Sequence, residues 1–90
     1  MNSIAKISCT LSNGMFRNEY AVEITTSGGG KASLFVDRDL VMLNGSESTG
    51  FIHANLIKDE GDDYTVLLPK EVMKQGTRWV RVPKNQIKFA

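Results

Sequence analysis

Cysteine is the scarcest resource in this chain of 90 residues: there is one, Cys9. A lone thiol cannot close an internal disulfide, which points to a reducing compartment, and it excludes a cysteine-rich zinc site. Histidine is equally scarce, with His53 alone, and as a metal ligand it would need company that a chain with one histidine and one cysteine can barely provide. No apolar run approaches the roughly 20 residues that span a bilayer. The opening stretch, Met1 to Gly14, has Lys6 in its middle and lacks the sustained apolar core of a signal peptide. A cytoplasmic location without membrane attachment is therefore expected. Excess charge is missing too. Eleven basic residues against ten acidic ones leave a formal net charge of +1, which argues against a general polyanion binder while leaving room for a local patch.

What the chain does have is period-two alternation. A hydrophobic fraction of 41% is that of a folded protein, and the length suits one domain, residues 1–90, with a limited core. The clearest stretch runs from Gly50 to Pro69, GFIHANLIKDEGDDYTVLLP. Ile52, Ala54 and Leu56 share one face, with His53 and Asn55 on the other. Val66 and Leu68 then alternate with Thr65 and Leu67. An acidic turn, Asp59 to Asp63, separates the two runs, and together they predict a hairpin with one buried face.

The same logic places a first strand over Ile4–Leu11, with Ile7, Cys9 and Leu11 inward, followed by a turn at Ser12-Asn13-Gly14 whose residues tolerate positive φ. A second strand spans Met15–Thr26, with Tyr20, Val22 and Ile24 on one face. Gly28-Gly29-Gly30 with Lys31 invites a phosphate-loop reading. That loop requires spaced glycines and a following helix, whereas ASLFVD after Lys31 reads as a strand, so a hairpin loop is expected instead. The third strand reaches Val36, a tight or 3₁₀ turn follows at Asp37–Asp39, and a short extension covers Leu40–Leu43 before a polar loop. Beyond the central hairpin, Pro69 and Gly76 bracket a predicted helical turn near residues 70–75. Thr77–Val82 is a strand, Pro83–Gln86 a tight turn, and Ile87 and Phe89 close the chain. Three segments share a shape, VDRDLV (36–41), LPKEVM (68–73) and VPKNQI (82–87). Each predicts a strand end whose turn tucks an apolar residue back under the sheet.

About five or six short antiparallel strands in so short a chain predict an all-β protein, a small barrel that removes its own edges. The ending VPKNQIKF resembles the ending of SH3-type barrels, where a strand runs into a proline-containing 3₁₀ turn and a short last strand. The resemblance covers those residues and implies an SH3-like barrel. The aromatic motif and paired tryptophans of SH3 domains are absent, so it does not extend to binding of proline-rich peptides.

Few side chains suggest chemistry. His53 has no orienting partner or nucleophile near it in sequence. Cys9 falls in the buried register and has no basic neighbour to activate it. The acidic turn is too short for a twelve-residue calcium loop. No catalytic residue, metal site or cofactor is assigned, and a non-enzymatic protein is expected. Charge is nevertheless segregated. From Lys70 to Ala90 six basic residues (Lys70, Lys74, Arg78, Arg81, Lys84, Lys88) stand against Glu71 alone, around the sole tryptophan, Trp79. If Val80 and Val82 fill the core, Trp79 and Arg81 face out; the other reading is that Trp79 covers the open end of the barrel and the lysines only keep the surface soluble. Trp79, Arg81 and Arg78, with Tyr20 as a further contact, make a binding surface suited to a protein partner of acidic character. The alternative is a nucleic-acid-binding barrel, with the cations on phosphates and Trp79 stacked on a base. The acidic turn and the basic end could pair between copies as readily as within one.

Overall fold

A computed structural model describes residues 3–46 and 48–89. Every period-two stripe in it has become a strand. In chain order these are β1 (Ser3–Asn13), β2 (Glu19–Thr25), β3 (Lys31–Asp37), β4 (Val41–Leu43), β5 (Thr49–Asp59), β6 (Asp63–Leu67), β7 (Trp79–Pro83) and β8 (Ile87–Phe89). The fold is all-β, as expected, and all pairings are antiparallel, in a curled sheet of order β3-β2-β1-β5-β6-β7 that forms a half-barrel. β8 adds to β1 and β4 adds to β5. Eight strands replace the expected five or six because β4 and β8, three residues each, pair as true strands.

The two longest strands, β1 and β5, are paired from Ser3↔Leu56 to Thr10↔Thr49. Across this pair runs a four-strand row in register, Ile87–Ile7–Ile52–Val41. Ile7 and Ile52 are fully buried and Val41 packs against the core from its edge. The predicted stripes hold: Ile7, Cys9 and Leu11 in β1, Val22 and Ile24 in β2, Ile52 and Ala54 in β5, and Val66 and Leu68 in and just after β6 are buried, and β3 adds Ala32, Leu34 and Val36. A bulge between Leu56 and Lys58 shifts the β5–β6 register, which leaves Leu56 half-buried.

The chain follows one plan twice. β1, β2, β3, a 3₁₀ turn (Arg38–Leu40) and β4 are repeated as β5, β6, β7, a 3₁₀ turn (Lys84–Gln86) and β8. Each half ends by pairing its last strand with the first strand of the other half. Val36–Val41 and Val82–Ile87 correspond position for position. The residue entering the turn has φ −57 and ψ 140 at Asp37, and φ −59 and ψ 143 at Pro83. The residue leaving it donates its N–H to Arg38 O in one half and to Lys84 O in the other. Proline fits the second copy because its fixed φ is the one the turn already requires. Even the approach to the turn is shared: Arg38 N donates to Asn18 O and Lys84 N to Asp62 O. Two of the three segments predicted to share a shape therefore do so.

The third does not, and the helical turn expected near 70–75 is absent. Residues 73–75 form an isolated hydrogen-bonded turn in which Lys74 takes φ 72, outside the helical region. The donors that a helix would leave unpaired at its start go elsewhere: Val72 N bonds Thr77 O at 2.7 Å and Met73 N bonds Ser33 O at 2.8 Å. The segment is a strap, lying against the edge of β3 with Val72 buried beneath it. Two further expectations shift. β2 begins at Glu19 rather than Met15, because Gly14 N bonds Glu19 O and the intervening residues form the turn. Gly14 is not at positive φ. It is required for space, since a Cβ there would stand 2.7 Å from Glu19 Cβ.

The tightest approach in the sheet is at Gly50, which faces Cys9 on one side and Leu43 on the other. A Cβ at this position would lie 2.4 Å from Met42 O. Gly50→Ala is expected to lower the free energy of unfolding by about 1–3 kcal/mol, the usual cost of overpacking, measured by urea denaturation; an unchanged midpoint would refute the role assigned to this glycine.

Candidate functional site

The outer face of the sheet carries a second row in register, Ile4–Asn55–Leu67–Trp79, across β1, β5, β6 and β7. Because successive side chains on a strand alternate faces, Val82 falls inward, fully buried, and Val80 packs against the core from its edge. Trp79 and Arg81 fall outward. The indole is 52% exposed and Ile4, at the other end of the row, 59%. At the Ile4 end of the row lies a shallow cleft of about 310 Å³ bordered by Ile4, His53, Asn55, Leu67, Pro69 and Arg78. Arg78 is anchored at its rim, its Nε donating to Leu68 O at 2.8 Å. Trp79 and Arg81 border one cleft, as alternation along β7 predicts, while Arg78, just before the strand, borders the other.

Tyr20 is not part of it. Its side chain is buried, and it lies near the start of β2, at the end remote from Trp79, five residues before Thr25, or roughly 17 Å of strand. The Arg38 guanidinium covers its ring, 4.0 Å from the centroid. The other half repeats the arrangement, with Lys84 Nζ 4.7 Å from the centroid of Tyr64. Both tyrosines support a 3₁₀ turn, so the ring of Tyr20 is spent on the fold. The counterpart of Trp79, by contrast, is Ser33. The plan of the fold does not call for an indole there.

The acidic hairpin turn and the basic end meet within one chain. Lys84 Nζ lies 2.9 Å from Asp59 Oδ1, Arg81 3.2 Å from Asp63 Oδ2, and Lys58 3.7 Å from Glu60. Asp59 also accepts the Gly61 amide, and Glu60 accepts the Thr65 hydroxyl. Bonding to Lys84 holds the Asp59 carboxyl below its ordinary value, and the Thr65 hydroxyl does the same for Glu60. The Lys84 ammonium is raised by Asp59 in turn. These groups are exposed or half-exposed at the surface, so each pair is a weak clasp. Among the described residues, Lys70 and Lys74 make no ion pair.

Cys9 sits in the core, its thiol directed at Gly50 O at 3.4 Å, and burial pushes it up to about 11. That suppresses the thiolate at neutral pH. His53 is exposed on the outer face. Among the described residues no group of three or more His, Cys, Asp or Glu stands close enough to hold a metal ion, and no helix is long and apolar enough to cross a membrane. One feature escaped sequence reasoning. Met15 and Phe16 are the most exposed large apolar residues, at the tip of the β1–β2 turn. Two adjacent large apolar residues cannot share one strand face, and that was the available signal that they stand in a turn. No family model matches this chain, and no curated protein or solved structure matches it.

Two outcomes follow. Carboxylates depressed in the folded state favour folding above their unfolded values, and that contribution fades as pH falls through the folded ones. The melting temperature is expected to decline as pH drops below the ordinary Glu and Asp values of 4.5 and 3.8, and less steeply in Asp59→Asn; parallel profiles would contradict the clasp. Cys9 is expected to resist a thiol reagent at pH 8 in the native protein and to react promptly in denaturant. Equal rates would show that the thiol is open.

Proposed function

We propose that this protein is a small non-enzymatic interaction module or accessory subunit, an SH3-like barrel that docks a protein partner on the outer face of β7. Trp79 is the anchor, Arg81 and Arg78 flank it, and Leu67 and Ile4 extend the apolar contact. The observation that carries this reading is the half-exposed indole at the end of the Ile4–Asn55–Leu67–Trp79 row, in a strand whose counterpart in the other half has serine. Exposed aromatic and arginine side chains grouped on a rigid sheet are the usual energetic centre of a protein interface. Tyr20 is set aside as a contact for the structural reason given above. A single buried thiol suits residence in the reducing cytoplasm.

Nucleic acid is the weaker candidate for this surface. Lys84 is paired with Asp59, and Asp63 offsets part of the charge of Arg81 while leaving it donors to spare, which lowers the positive potential of the C-terminal third. One indole also offers only one stacking platform, where single-stranded ligands use several.

Bait capture from cell extract tests the proposal. Wild-type protein is expected to retain a defined set of proteins that Trp79→Ala loses, while Phe16→Ala, on the remote turn, retains it. Identical capture by Trp79→Ala and wild type would contradict the assignment.

A further inference from the structure

The two edge strands of the half-barrel, β3 and β7, are not paired with each other. The strap covers part of the seam between them, with Met73 N bonded to Ser33 O. On the β7 side the hairpin tip Ser27–Gly29 lies against the strand. Between tip and strand remains a cleft of about 410 Å³, walled on one side by Trp79.

The chemistry of this cleft is one-sided. Thr26 and Ser27 bring hydroxyls, Gln75 an amide, Lys31 an ammonium and Arg81 a guanidinium, and no carboxylate lines it. Lys31 Nζ donates to Thr25 Oγ1 at 3.1 Å, a contact that positions the charge without neutralising it. Arg81 is steered by Asp63 through one nitrogen at 3.2 Å, and its guanidinium has further N–H donors to give. The Ser27 hydroxyl is buried with no hydrogen-bond partner among the described residues, and buried polar groups in folded proteins are normally paired. A ligand that accepts hydrogen bonds and carries negative charge would answer Lys31 and Arg81 together, with the Thr26 hydroxyl and the Gln75 amide as further partners.

The geometry also limits the size of that ligand. Leu68 N bonds Arg78 O, so the alternation of an antiparallel ladder turns the backbone of Val80 and Val82 toward β6 and that of Arg81 toward the seam. The hairpin tip lies too near for a full added strand, which needs about 4.8 Å of clearance on each side. What fits is a side chain reaching in, with its backbone passing over the top.

We propose that this seam seats an acidic side chain of an extended segment of a partner protein, its carboxylate held between Lys31 and Arg81 and a neighbouring apolar side chain laid on Trp79. This rests on the reading of Trp79 as a protein-docking anchor and adds the chemistry of what docks. Lys74, which borders the adjoining cleft along the strap together with Lys31 and Gln75, extends the preference to a second acidic residue farther along the segment.

A displayed library of random decapeptides, selected on the wild-type protein, tests this without knowledge of the natural partner. The expected selection is enriched in Asp or Glu beside Leu, Phe or Trp. Synthetic versions of the selected peptides are expected to alter the fluorescence of the sole tryptophan, and Lys31→Gln and Arg81→Gln are each expected to weaken them by roughly tenfold or more, the worth of a charge-assisted hydrogen bond. Both residues are exposed, and circular dichroism checks that the variants keep the fold. Selection of peptides without acidic residues, no selection, affinities indifferent to Lys31→Gln, or displacement of the peptides by an equal concentration of decathymidylate would each overturn the proposal. A partner captured from extract through Trp79 yet indifferent to Lys31→Gln would overturn the carboxylate seat alone. Capture indifferent to Trp79→Ala would overturn the docking surface itself.

Discussion

The antiparallel contact between β1 and β5 is the constraint on which the rest of the structure depends. It places Ile7 against Ile52, and among the described residues it is the longest pairing between the two halves of the chain. β8 and β4 add to its two sides, giving the row Ile87–Ile7–Ile52–Val41. Burial of an isoleucine side chain contributes about 1.5–3 kcal/mol, and this row sets the register for both hairpins that fold over it. A slip of one residue would turn every stripe inside out. Gly50, pressed against Met42 O where β4 joins β5, shows how closely the strands are held at this junction.

Because the fold repeats its plan, each half serves as a control for the other. Features present twice belong to the architecture: a cation over a tyrosine, a 3₁₀ turn entered at the same dihedrals, and a last strand given to the opposite half. Features present once need another reason. The strap is one, because the 68–78 connection is longer than its counterpart at 26–30. Trp79 is another, standing where the other half has Ser33. The two coincide at the seam, where the strap closes one stretch and the indole borders the stretch left open. The asymmetry of the molecule and its candidate contact surface are therefore in the same place.

Most of the sheet was legible in the sequence because strand periodicity is a local property. Ile7, Cys9 and Leu11 or Val22 and Ile24 announce their face without reference to distant residues. The outward position of Trp79 followed from the same alternation. What was not legible depended on pairing at long range. The 69–76 segment has proline and glycine where a short helix would have them, yet its amide at Met73 finds Ser33, some forty residues earlier, and the helix is not needed. Tyr20 reads as a surface aromatic until Arg38 is seen across its ring. Likewise, nothing in the order of residues says that Lys84 reaches Asp59 rather than a second copy. The repetition of the plan was visible only as the shared shape of VDRDLV and VPKNQI, since the strands preceding them differ in sequence.

The account as a whole requires the core to be complete without its tryptophan. The free energy of unfolding of Trp79→Ala, measured by urea denaturation, tests that most directly. A value within about 0.5 kcal/mol of wild type, as for surface positions that make no special contact, is the predicted result. A loss of about 3–5 kcal/mol, the cost of removing a buried tryptophan, would contradict it and return the indole to the fold.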